Sequence, residues 1–454
     1  MRTHQLKHGY GMTLSACLWL GLFPLLQGGS YRHFTHDKWV CMLVLTGVTF
    51  LCFLFDQFFG PRRNKVSRRT FLPLVISGVL LLWMFITCLA GGASPADWWH
   101  GESVRQEGFF TQLCYFSLFA CFFFSRVSLK PVLLSAAAGL AFFTVIALLQ
   151  RSGINALGLY PPGYSYELNP EFQGTIGNID MGTGYLLLLT ALFLYSLPLI
   201  VKRGRNGGSP SEPASSRRRP APGAVAMVLV CLAALLVCLF LIITMGVQFG
   251  MISLGVLFLV TVFRFLPKRL RLPLLILLIV AVLLIVWFWP GQKGGIWELH
   301  EIFHGRARLS FGSDRVAVWL YSLRLAGQSL LLGGGSGTFP ARFNRFLSEN
   351  SLVIPEEQDG VPFPNNFDNP HNIYISYLTD HGIPGLVLFL ALLLISVFRR
   401  RDGFLPLLSP CSAAMLCYAV QAIFSFSVCI ITPMFWILLA LSYTEHDREL
   451  SCGF

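Results

Sequence analysis

The chain has 454 residues, of which 54% are apolar and 12% charged, about half the charged share of an ordinary soluble domain. A mean hydropathy of +0.63 and apolar runs of about twenty residues recurring from Gly11 to Tyr443 exclude a soluble enzyme, a disordered chain and a secreted disulfide scaffold. The net charge of +12 would suggest nucleic acid in a soluble protein. In a membrane chain lysine and arginine first report orientation, so no nucleic-acid partner is expected.

In chain order, twelve runs read as spans: 11–27, 40–59, 71–90, 109–125, 131–150, 181–201, 224–245, 250–266, 273–290, 384–398, 404–424 and 427–443. The fold class predicted is an all-α polytopic membrane protein of about twelve transmembrane helices, one membrane domain over 1–454. Runs 11–27 and 384–398 are short against the ~20 residues that a bilayer core requires. The first run, with its basic start, is read as a retained span because no small-x-small cleavage site follows Leu26. Alternate connections hold 23 of the 34 lysines and arginines, and the opposite connections hold 16 of the 22 acids. Both termini are therefore predicted in the cytoplasm, with about +18 inside and −5 outside, in a multi-pass cytoplasmic (inner or plasma) membrane protein.

Within the spans Asp56 is the exceptional ionisable group. It lies near the end of its run beside Arg62 and Arg63, so snorkelling to the interface is expected rather than a proton relay. This scarcity of charge weighs against an ion-coupled transporter. Of twelve cysteines eleven fall in predicted spans and Cys452 in the tail, as small packing residues would, with no disulfide framework or metal motif. Residues 202–223, KRGRNGGSPSEPASSRRRPAPG, read as a flexible cytoplasmic linker whose arginines anchor orientation.

The largest outer connection, 291–383, is the candidate site, because loops this long are usually functional. FGSDRVAVWLYSLRLAGQSLLLGGGSGTF predicts a helix of about 18 residues, capped by Ser313 or Asp314 and stopped at Gly333. Val316, Trp319, Leu320 and Leu323 form an apolar face able to lie in the interface. Arg315 falls in the first turn, where the helix dipole disfavours a cation. Either Asp314 neutralises it, or an anion is held there by the guanidinium and the free N–H groups. The Gly333–Thr338 run lacks the GK[ST] ending of a P-loop and reads as a turn.

NNFDNPHNIYISYLTDHGIPG predicts Asn369 as N-cap, Pro370 at N1, His371 at N2 and Asn372 at N3, with the helix ending at Gly382 before Pro384 starts a span. The dipole would keep His371 neutral, as a proton acceptor must be, and would attract an anionic substrate. A structural hydrogen-bonding role is the plain alternative.

Arg315 with Trp319 four residues on, then LLLGGGSGTF, then PHNIYISYLTDHGIPG together resemble the signature region of the O-antigen ligase and polymerase superfamily. The resemblance covers roughly 310–390. It extends loosely to GESVRQEGFFTQLCYF at 101–116, GTIGNIDMGTGYLLLL at 174–189 and TPMFWILLAL at 432–441. It implies a GT-C-like membrane glycosyltransferase without nucleotide sugar, acting in surface polysaccharide assembly, lipopolysaccharide or capsule. Such a protein moves a glycan from a polyprenyl diphosphate carrier to a hydroxyl acceptor on the outer face. The acceptor is a lipid A core sugar in ligases, another repeat unit in polymerases and a protein Ser or Thr in related transferases.

By motif the diphosphate-holding arginine falls on Arg315 and the histidine that assists the acceptor on His371. Asn372, Arg324 and Arg105 are secondary candidates for substrate binding. Many relatives carry an arginine in a TxSRG-like stretch at the outer turn between two central spans. Here that turn, after Thr244, reads MGVQFG with Gln248, so Arg105 or Arg324 takes its place or diphosphate binding differs. Membrane lipid is an expected partner, no cofactor is expected, and His33, His36 and Asp37 are too sparse to hold a metal. A polyprenyl diphosphate is already an activated leaving group, so a metal-independent inverting attack is expected. The competing classes are a repeat-unit polymerase, a lipid-glycan transporter or flippase, and a non-catalytic scaffold.

Overall fold

The computed structural model describes residues 9–60, 68–102, 104–161, 174–206, 221–352, 354, 357–358, 361–362, 367–398 and 408–444. Most of the predicted linker, 207–220, and the basic clusters at 62–65 and 399–401 lie outside the described residues. In chain order the helices are α1 (Tyr10–Cys17), α2 (Phe34–Phe59), α3 (Arg68–Ala90), α4 (Pro95–His100), α5 (Phe109–Phe123) and α6 (Leu129–Arg151). Then come α7 (Ile179–Asn206), α8 (Pro222–Met245), α9 (Gln248–Phe265), α10 (Lys268–Trp287) and α11 (Gly295–Phe303). They are followed by α12 (Arg315–Gly327), α13 (Phe339–Glu349), α14 (Ile373–Phe398), α15 (Pro410–Gln421) and α16 (Thr432–Thr444). The strands described are a two-residue antiparallel ladder, Glu357–Gln358 against Val361–Pro362.

Each predicted run falls on a helix. Among the described residues eight helices are long and apolar enough to cross a membrane, and Tyr10–Leu25, Phe109–Phe123 and Thr432–Thr444 are shorter apolar helices. The protein is an all-helical, multi-pass membrane protein. The weak run 384–398 gains length by belonging to the 26-residue α14, which begins at Ile373. The last eleven residues of the predicted outer connection thus already belong to α14. The break predicted at Gly382 is real (φ 65°, ψ −170°). There Ile383 gives its N–H to the Leu330 carbonyl, and Pro384 has none to give, so a second helical segment continues beyond it.

α7 is the central span, packed against α8 and α15, while α14 lies on α3 and α16 on α5. Close helix contact needs small residues where lipid provides no hydrophobic drive. A Cβ at Gly139 of α6 would meet the Gly21 carbonyl, and one at Gly21 would meet Ser135. Eight of the eleven described cysteines are buried, and all eleven are free thiols.

Polar groups in the spans serve as backbone caps. Asp56 turns to α1 and accepts from the N–H groups of Gly11 (2.9 Å) and Met12 (2.8 Å), satisfying donors that a helix start leaves without partners. At the other end of the same helical segment the fully buried Lys38 ammonium donates to the carbonyls of Phe23 (3.0 Å) and Pro24 (2.9 Å), where the helix dipole favours a cation.

Asp56→Ala is expected to lose about 1–2 kcal/mol of stability, read as the unfolding midpoint in detergent, with Asp56→Asn retaining part of it. An unchanged midpoint in Asp56→Ala would contradict the cap.

Candidate functional site

α12 is thirteen residues long, shorter than predicted, and ends before the glycine run. Ser313 and Asp314 both take left-handed backbone (φ 54° and 63°), and Asp314 makes no side-chain cap bond, so neither caps as predicted. The tight turn leads straight into Arg315. Its Nη1 donates to the Gly312 carbonyl at 3.2 Å, its Cζ lies 5.9 Å from the Phe249 ring centre, and its buried Nε has no hydrogen-bond partner among the described residues. Among the described residues the ion pairs do not include Arg315. The face of Ala317, Val318, Tyr321 and Leu325 packs on Phe339, Phe343 and Phe346 of α13, leaving Leu320 and Leu323 of the predicted interfacial face exposed.

One turn beyond Arg315, the Trp319 indole donates to the Pro370 carbonyl at 2.9 Å. The tether brings α12 against the chain that leads into α14. Asn369 does not cap that helix: its Oδ1 accepts the His371 N–H at 2.7 Å, closing a local turn. The cap is Asn372, whose Oδ1 accepts from Tyr374 (3.0 Å) and Ile375 (3.1 Å), while the Ile373 N–H goes to the Ala422 carbonyl. Asn372 and the first N–H groups of α14 are therefore engaged within the protein.

His371 precedes the helix, in left-handed backbone (φ 50°). Its ring stands edge-on to Phe426 at 5.2 Å, and its Nδ1 is buried without a hydrogen-bond partner among the described residues. Burial, then the Arg315 guanidinium, against Asp368 and with Arg105, pushes the imidazole pKa down to about 4. The ring is neutral, as expected, but through desolvation and nearby cations and not through a helix dipole.

Arg105 joins from the loop before α5. Its guanidinium pairs with Asp368 and lies 4.0 Å over the Phe426 ring. Beside it opens a cavity whose walls include Arg105, Glu107, Asp368, Pro370, Asp380 and Ser427. Arg315 and His371 adjoin this cavity through Pro370 and do not line it. Arg324 does not converge with them: nine residues of helix place it about 13 Å along α12 and half a turn round from Arg315, exposed against the Tyr321 ring.

At the turn after Thr244, Gln248 opens α9. The cations whose contacts reach this turn are Arg315, at Phe249, and Arg151, whose Nη1 donates to the Thr244 carbonyl at 3.1 Å. The contacts of Arg105 lie at Asp368 and Phe426 and those of Arg324 at Tyr321.

The glycine run is a packing turn. The N–H groups of Gly333, Gly334 and Gly335 go to the carbonyls of Ser329, Thr379 and Asp380. A Cβ at Gly334 would meet the Arg342 guanidinium, which pairs with Asp380 (2.7 Å) and is held by Thr338 (2.9 Å).

Sequence reasoning did not single out Glu107, Asp368, Phe426, or the Arg342–Asp380 pair. Glu107 left one signal, an acid directly before the apolar run 109–125. Phe426, between the runs 404–424 and 427–443, left none. Against known families, residues 232–390 match the model described as O-antigen ligase. That stretch runs from the middle of α8 to the middle of α14 and contains Arg315 and His371, while Arg105 and Glu107 lie outside it. No curated protein matches the chain.

Because the folded His371 ring resists protonation, the unfolded chain alone takes up this proton as pH falls from about 6.5 toward 4. Stability contributed by the neutral ring is complete above that window and is lost through it. His371→Asn, which tolerates the left-handed backbone, is expected to lose less stability than wild type between pH 7 and pH 5, read as unfolding midpoints in detergent. Equal losses would contradict the buried neutral imidazole.

Proposed function

We propose, from the O-antigen ligase domain that the chain carries at residues 232–390, that this protein transfers a glycan from a polyprenyl diphosphate carrier to a hydroxyl acceptor. The match itself supports a membrane role in surface polysaccharide assembly. The observation that carries the finer reading is the meeting of Arg315, whose guanidinium has no ion-pair partner among the described residues, with a neutral imidazole, His371.

Departure of a polyprenyl diphosphate concentrates negative charge on the leaving group. Fixed cations in a water-poor site stabilise such charge far better than water does. Arg315 has a spare donor for it: among the described residues its Nε has no hydrogen-bond partner, and the Trp319 tether holds the same helix face in place. A neutral imidazole has one acceptor nitrogen, which at His371 orients the acceptor hydroxyl toward the anomeric carbon. The acceptor oxygen bonds to that carbon as the carbon–phosphate oxygen bond breaks, its proton passes to a general base, and the electron pair leaves with the diphosphate, giving inversion. Arginine supplies the charge, so the reaction is metal-independent in this proposal.

The charge asymmetry of the loops supports a site on the outer face. Arg105 is a second contact for the donor once its pairing with Asp368 opens, and Arg324, on the opposite face of α12, serves the carrier's approach at the surface.

The test is purified protein in chelator, supplied with membranes of a strain deleted for this chain, which hold donor and acceptor. Release of polyprenyl diphosphate is expected, with Arg315→Ala slowed at least about a hundredfold, the usual cost of one charge-stabilising donor. A single product would mark a ligase and a ladder of repeats a polymerase. Movement of lipid-linked glycan without bond cleavage, or full activity in Arg315→Ala, would contradict the assignment.

A further inference from the structure

We infer that Glu107 is a further catalytic residue, the base that takes the proton from the acceptor hydroxyl. The inference rests on the transfer reaction proposed above and adds the group which that reaction needs and the Arg315–His371 pair does not provide.

Glu107 lines the cavity, and its carboxylate is aimed there by side chains from separate segments. Oε1 accepts from the Tyr115 hydroxyl of α5 at 2.6 Å, and Oε2 from Ser427 at 2.9 Å and the Gln112 amide at 3.2 Å. A carboxylate has about four acceptor sites. With three in use, one remains on Oε1, on a group that lines the open cavity. The same segment that holds Glu107 through Ser427 holds His371 and Arg105 through Phe426. Glu107 thus belongs to the Arg315–His371 assembly, although the chain brings it from far away.

The surroundings divide the labour. Imidazolium at His371 would face Arg315 and Arg105, so that ring resists taking a proton. A proton on Glu107 instead removes a charge from a site that disfavours it. Burial raises the Glu107 pKa to about 7 against the opposing hydrogen bonds of Tyr115, Ser427 and Gln112 and the charge of Arg105. A base works best with a pKa near the working pH. The other titratable groups that face it are Tyr115 of α5, Tyr377 of α14, Tyr418 of α15 and Cys429 of the following loop. In the balanced step the acceptor O–H proton passes to Glu107 as its oxygen bonds to the anomeric carbon, and the polyprenyl diphosphate departs with the electron pair of the broken bond.

The experiment follows polyprenyl diphosphate release by purified protein on the donor- and acceptor-bearing membranes of a deleted strain, from pH 5 to 9. Wild type is expected to show a rising limb with a midpoint near 7. Glu107→Gln is expected to lower kcat about 10²–10⁴-fold, abolish the limb and leave the donor concentration for half-saturation unchanged. Ser427→Ala keeps the carboxyl but removes one donor, and is expected to move the limb to higher pH. A limb that persists in Glu107→Gln, or one that stays in place in Ser427→Ala, overturns the assignment, even where Glu107→Gln is slow. If wild type releases no polyprenyl diphosphate, the transfer reading itself fails; if wild type is active and Glu107→Gln matches it, only the role of Glu107 does.

Discussion

A single hydrogen bond, from the Trp319 indole to the Pro370 carbonyl, joins two parts of the outer loop that the chain separates by fifty residues. Trp319 lies four residues after Arg315, so the two side chains share a face of α12. Fixing the indole therefore fixes where the guanidinium can be. On the other side, the tethered carbonyl belongs to the residue before His371, which the Asn369 turn holds in left-handed backbone. Phe249, Phe424 and Trp319 continue the contact as a row of aromatic rings, Phe249 to Phe424 at 6.2 Å and Phe424 to Trp319 at 6.0 Å, carrying it to the start of α9.

Charge is scarce in this molecule, and the ionisable groups described above mostly complete a local structure. Asp56 caps α1, Lys38 binds carbonyls at its far end, Arg342 ties α13 to Asp380, and Arg105 is paired with Asp368. Such groups hold the fold because a buried polar atom without a partner is costly. Against that pattern the Arg315 Nε and the His371 Nδ1, both buried and without hydrogen-bond partners among the described residues, mark a place where the protein has left recognition capacity unused. Perturbed, incompletely satisfied groups of this kind gather at functional sites.

The spans and the two motif segments were legible in the sequence because length, apolar content and helix-breaking residues are local signals. Exact helix ends were less so. Asn369 and Asn372 are equally good caps by residue type, and the choice of Asn372 depends on Asn369 being occupied by the His371 N–H. The glycine run looked like the stop for α12, yet its conformation answers to α14, whose carbonyls it binds. The cavity was the least legible feature. Its polar walls are pairs far apart in the chain, Arg105 with Asp368 and Glu107 with Ser427, and no periodicity in one segment announces a partner in another.

The central claim is that Arg315 and His371 together receive a diphosphate-linked sugar. Its most direct measurement is the structure of the protein in lipid nanodiscs with a non-reacting polyprenyl diphosphate glycan bound. The account predicts phosphate oxygens within hydrogen-bond distance of the Arg315 guanidinium, with the first sugar directed past His371 into the cavity lined by Glu107. A diphosphate seated elsewhere, with Arg315 still turned to Phe249 and the Gly312 carbonyl, would contradict it.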